Sequence, residues 1–143
     1  MTELNVRFAG FSRIDFDRAP IRKALRSEGN LIRNAARNLV SGSGVSAPGE
    51  FPGRSSGVLK SAIRTKMLRG GFAVAVRPEK TARMGKDFYP VFLLHGVKKR
   101  RGKVLNPGLK PRADYMIEGL AIRRVAAVDA IQRSLKLSLV PRS

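Results

Sequence analysis

Residues 51–68 read FPGRSSGVLKSAIRTKML, and the chain changes character across them. A turn at Pro52 and Gly53 is followed by small residues at Ser55, Ser56 and Gly57, an apolar anchor at Leu59, and an alternation at Ile63, Thr65 and Met67. This predicts one or two helical turns over 55–60, with Ser55 or Ser56 as cap, running into a half-buried strand. Before the stretch lies a helical pattern of modest charge. After it comes a strongly basic segment patterned for strands and loops.

Downstream, the alternation breaks at Arg69, Gly70 and Gly71 and resumes at Phe72, Val74 and Val76 before Pro78 ends it. Two alternating runs about a glycine-rich turn predict a β-hairpin. Residues 79–87 form a polar, basic loop. The apolar run FYPVFLLHG, 88–96, predicts a short helix after Pro90, because Gly96 suits a helix C-cap. Residues 97–112 hold Lys98, Lys99, Arg100, Arg101, Lys103, Lys110 and Arg112 with no acid, broken by glycines and prolines. That composition predicts a flexible basic arm. A long helix then runs from Asp114 to about residue 137, with Ile117, Leu120, Ala121, Ala127, Val128, Ile131 and Leu135 on one face. Asp114 and Glu118 favour its positive N-terminal end and Lys136 its negative C-terminal end.

Upstream, Leu4, Val6 and Phe8 alternate with polar or small neighbours until Gly10, which predicts a short strand over 3–9. Residues 11–16 form a connector whose aromatic residues and Ile14 pin it to the core. Asp17 followed by Pro20 is a helix-start signature. Ile21, Ala24, Leu25, Leu31, Ile32, Ala35, Ala36 and Leu39 recur at the helical period until SGSG at 41–44. A helix of that length spans about 33 Å.

One charge interrupts each long stripe: Glu28 in the first helix and Arg124 in the last. Each lies seven residues after the first apolar anchor of its helix and eleven before the last. If the helices pack together, the two form an ion pair within or beside the core, since a lone buried charge costs several kcal/mol. Alternatively, one or both face an oligomer partner or solvent at the stripe edge. A separation above about 6 Å excludes the pair.

The 143 residues suit one α+β domain spanning 1–143: two long helices packed on a small, mainly antiparallel β-sheet with a long hairpin and a basic loop. The formal net charge is +19. Residues 1–50 hold eight Lys or Arg against five acids, 51–112 sixteen against two, and 113–143 five against three, so the middle third carries +14 of the total. Such a segment calls for DNA, RNA or an acidic subunit face nearby. With no cysteine, a disulfide framework and thiolate metal sites are excluded. No apolar run approaches the roughly 18 residues of a membrane span, and residues 1–10 lack a signal-peptide core.

Catalytic patterns are missing. His95 is the single histidine and stands beside no nucleophile-elbow motif. The ten acids are scattered without metal-ligand spacing, and Gly70-Gly71 lacks the rest of a phosphate loop. No catalytic, metal or cofactor residue is therefore expected. Lys98, Lys99, Arg100, Arg101 and Lys103 are the candidates for contact with a partner or with DNA. Any such nucleic-acid contact is non-specific, because no helix-turn-helix, zinc-finger or aromatic RNA-binding motif accompanies it.

Four stretches carry a family likeness: the strand and helix at 6–10 and 20–41; Pro52, Ser56, Gly57, Leu59, Ser61 and Ile63; Tyr89, Phe92, Leu93 and Gly96; and residues 110–116. Their order resembles the tail-completion or neck family of tailed bacteriophages, small head-tail connection proteins also described as minor tail proteins. The chain departs from that pattern at Leu94, where the family commonly has an acid two residues before the glycine. The resemblance implies a structural virion protein, present in the host cytoplasm before assembly. It would form a homo-oligomeric ring that joins the head connector to the tail tube, contacts other neck and tail proteins, and lets DNA pass through its lumen. A non-specific nucleic-acid-binding protein using the basic middle third is the alternative reading.

Overall fold

The computed structural model describes residues 14–54, 56–86, 88–96 and 110–141. The strand predicted over 3–9, and residues 97–109 of the basic arm, lie outside them.

Helix α1, Arg18–Leu39, has 22 residues. The Asp17 carboxylate caps it by accepting from the Ala19 N–H at 2.9 Å, and Pro20 sits in the first turn, where its missing N–H leaves no bond unmade. The residues of the opening stretch follow as helix α2, Val58–Ala62, and strand β2, Ile63–Met67, with no residue between. The cap of α2 differs from the expectation. Gly57 takes that position at φ 72°, while the Ser56 hydroxyl only accepts a long 3.4 Å bond from the Val58 N–H.

Strand β3, Val74–Pro78, pairs antiparallel with β2, and Thr65 stands opposite Val76. Phe72, expected within the second strand, lies before it in the turn. The loop at 79–87 carries a 3-10 turn, Ala82–Met84, that buries Met84, so it is less polar than its composition implies. Helix α3, Tyr89–His95, ends at Gly96, whose N–H donates to the Phe92 carbonyl at 2.8 Å. Helix α4, Tyr115–Ser138, starts at Asp114, whose carboxylate accepts from the Met116 and Ile117 N–H groups at 2.9 and 3.0 Å.

The ends of the long helices meet in a way the sequence does not announce. Strand β1, Ile14–Phe16, pairs antiparallel with β4, Leu139–Pro141, and the Asp17 N–H donates to the Ser138 carbonyl at 2.8 Å. The residues expected to form a connector pinned by aromatics are thus partly strand, and Phe16 is exposed rather than buried. Its ring stands 5.9 Å from that of Phe72, over which the Arg18 guanidinium sits at 5.7 Å. The fold is α+β, with two separate two-stranded antiparallel sheets.

The core gathers Ala36, Val40, Leu59, Ile63 and Tyr115, with Phe51, Val76, Tyr89, Leu93 and Met116 packed against it. Two glycines on the long helices set how closely its layers approach. A Cβ on Gly29 would stand 2.7 Å from Val74 Cγ2 and 2.9 Å from Thr65 Cγ2, so the hairpin lies directly on the α1 backbone. A Cβ on Gly119 would stand 2.8 Å from the Ala36 nitrogen. These separations are too short for real side-chain carbons, and α4 therefore runs nearly backbone-to-backbone against α1.

Gly119→Val should destabilise the fold by about 1–3 kcal/mol through overpacking, read as a lower urea midpoint. Ile117→Ala, on the exposed side of the same helix, should stay within about 0.5 kcal/mol. Both tyrosines of the chain, Tyr89 and Tyr115, have hydroxyls pushed above their ordinary ionisation range, chiefly by burial. Asp114 and then Tyr89 reinforce the effect at Tyr115. Because the folded state holds these protons more tightly, their contribution to stability is complete below the unfolded tyrosine pKa of about 10 and is lost as pH rises above it. Tyrosinate absorbance should rise together with unfolding in alkali, whereas a normal titration of both rings in the folded protein would contradict this burial.

Candidate functional site

The side of α4 that meets α1 is not its apolar stripe. Tyr115, Gly119, Ala127, Ser134 and Ser138 are buried, while Ile117 is 67% exposed, Val125 75%, and Leu120, Val128 and Leu135 are exposed with them. Of the face expected to line the core, Ala127 is buried and Ile131 half-buried, whereas Ile117, Leu120, Ala121, Val128 and Leu135 look outward. The helix is turned by about one residue, or roughly 100°, relative to the face its hydrophobicity favours. Small size decides the orientation, because only the glycine and its small neighbours allow the close approach to Ala36. The two buried serines need no outside partners. Ser134 Oγ donates to the Ile131 carbonyl and Ser138 Oγ to the Ser134 carbonyl, both at 2.8 Å.

The same rotation changes the ion pair. Glu28 is buried, and its Oε2 accepts from Arg123 Nη2 at 3.2 Å. Arg124, the expected partner, is exposed within the outward apolar stripe. A buried carboxylate does have to find a cation, but the cation is one residue earlier on the helix. Among the described residues this is the single ion pair. Arg123 Nε is buried with no partner of its own, so the pair is held at one nitrogen only.

A cleft of about 330 Å³ opens beside α2. Val40, Leu59, Tyr89 and Leu93 supply apolar walls, and Arg54, Lys60 and Arg112 are its cations. Arg112 is fixed there: its Nε donates to Ser46 Oγ at 2.9 Å and its backbone N–H to the Leu93 carbonyl at 2.8 Å. The lining contains no acid, histidine or cysteine. It can hold an apolar group beside an anion, but it offers no general base for a hydroxyl nucleophile.

His95 is exposed at the end of α3. Among the described residues, no group of three or more His, Cys, Asp or Glu side chains could hold a metal ion, and no helix is long and apolar enough to cross a membrane. Lys98, Lys99, Arg100, Arg101 and Lys103 lie outside the described residues. Of the arm, Lys110 is exposed and Arg112 is anchored as above. Gly57, Leu59 and Ile63, the residues that carry the family likeness most directly, are respectively the cap of α2 and two members of the core.

The outward face of the hairpin is a surface that residue order alone left unmarked. Ile63 is buried and Thr65 and Met67 are half-buried on one side, whereas Arg64, Lys66 and Arg77 are exposed on the other. The register pairs Arg64 directly with Arg77 across the strands. The signal was present as cations at the polar positions of two alternating runs, but it needed the strand register to become a cluster. Compared with known family models, curated proteins and solved structures, the chain matches none of them.

Glu28→Ala should destabilise the protein by about 1–3 kcal/mol, less than for a fully buried pair because Arg123 is partly exposed. Arg124→Ala should change stability by under about 0.5 kcal/mol. Chemical denaturation of the two variants measures both, and the reverse order of effects would reject the pairing with Arg123.

Proposed function

We propose that the chain is a structural assembly subunit, of the kind found in the neck or tail-completion ring of a tailed bacteriophage. It joins the head connector to the tail tube and performs no chemistry. The observation that carries this reading is the outward face of α4, where Ile117, Leu120, Val125, Val128 and Leu135 stand exposed on a helix whose other side is already packed. An apolar helix face left in water, with Arg124 set within it, marks an interaction surface.

The occupant proposed for it is a second copy of the chain. A ring closes through heterologous contacts, so each subunit must offer two unlike faces. The second face is provided by α3, where Val91 and Phe92 are exposed. The order of motifs along the sequence supports the same role.

Native mass spectrometry and negative-stain electron microscopy of the purified protein test the reading. Discrete rings are expected, and Val125→Asp with Val128→Asp should reduce them to monomers that keep the wild-type far-UV circular dichroism, because neither side chain belongs to the core. A monomeric wild-type protein under all assembly conditions, or rings unaffected by the double substitution, would refute it.

A further inference from the structure

The hairpin turns its apolar side to α1 and its charge to solvent. Arg64 and Arg77 are directly opposed across the two strands, and Lys66 lies on the same face opposite Ala75. Like charges placed directly opposite each other destabilise a strand pair, so this arrangement does nothing for the fold.

Further cations crowd the same region from α1. Arg37 Nη2 donates to the Ile63 carbonyl at 2.7 Å and to the Ser61 carbonyl at 3.4 Å, which brings its guanidinium against β2. Burial and the nearby charges of Arg33 and Arg64 together pull the Arg37 pKa below its ordinary value. Among the described residues, none of Arg33, Arg37, Arg64, Lys66 and Arg77 pairs with a carboxylate. Glu79, two residues beyond Arg77, is half-buried and likewise makes no ion pair.

We infer that the solvent face of this hairpin, centred on Arg64, Lys66 and Arg77, binds the phosphate backbone of duplex nucleic acid without sequence preference. Arginine supplies the bidentate donor geometry that phosphates accept. Successive outward residues on a strand stand about 6.7 Å apart, and the opposed strand adds a second row of donors. A two-stranded ribbon of this kind also fits the width of a DNA major groove. The described outward face has no aromatic side chain, so it lacks the stacking platform with which single strands are held. This surface is separate from the outward face of α4, and the inference stands whether or not the chain forms rings.

The test is fluorescence anisotropy of the full chain on a labelled mixed-sequence DNA duplex across a salt series. Arg64→Ala with Arg77→Ala should lower affinity about tenfold and reduce the slope of log K against log salt by about 1.8, the loss of two phosphate contacts. The thermal midpoint should stay level or rise, since a repulsive pair has been removed. Unchanged DNA binding in this variant would overturn the inference, as would loss of DNA binding only when Lys98, Lys99, Arg100 and Arg101 are replaced. Poly-glutamate bound as tightly as DNA through the same arginines would also overturn it, and would identify an acidic protein face as the partner.

Discussion

The close approach of Gly119 to Ala36 constrains the rest of the structure. A helix packs with whichever face allows the best contact, and a wide apolar stripe does not always win. Here the absence of a side chain at position 119 lets α4 lie almost on the α1 backbone, and dispersion contacts are gained along the line of small residues that follows it. With that face inward, the larger aliphatic residues of α4 have to point away. The outward hydrophobicity is thus a consequence of how the helix pair is built.

Two further features follow from that rotation. The serines near the end of α4 come to lie inside the contact, where they are tolerated because each returns its hydroxyl proton to a carbonyl of its own helix. The Glu28 carboxylate meets the cation that the rotation brings to it, Arg123, and leaves Arg124 in the outward stripe. A lone guanidinium among exposed aliphatic residues would be costly to bury in a dry contact. It instead favours a partner face that carries an acceptor, and in the proposed ring that acceptor would fix the register between subunits.

Local features were legible in the sequence. Asp17 and Asp114 mark helix starts because capping depends on residues within one turn, and the hairpin and the Gly96 terminus are legible because turn chemistry is equally local. What could not be read depended on contacts between distant segments. Leu139–Pro141 becomes a strand only because antiparallel helices carry it beside Ile14–Phe16. The rotation of α4 depends on Ala36, more than eighty positions away. Hydrophobic periodicity marks the stripe on α4 but assigns most of it, Ala127 excepted, to the wrong environment. The signal that distinguishes the two is the spacing of Gly119, Ala127, Ser134 and Ser138 along one side of the helix.

The remaining question is how a chain with a formal charge of +19 tolerates two arginines facing each other across a strand pair. Salt screens such a pair only partly at the few ångströms that separate cross-strand neighbours, well inside the roughly 8 Å Debye length at physiological ionic strength. Bound phosphates neutralise both cations, so the arrangement that is unfavourable in the isolated subunit becomes favourable on a polyanion. The effect per subunit is small, a few contacts at most. In a closed assembly the same face would recur at every subunit, and weak contacts to one continuous duplex would combine through a high effective concentration. The apolar face proposed to join subunits and the cationic face proposed to meet phosphate would therefore be complementary: the first would determine how many copies of the second a single nucleic acid meets.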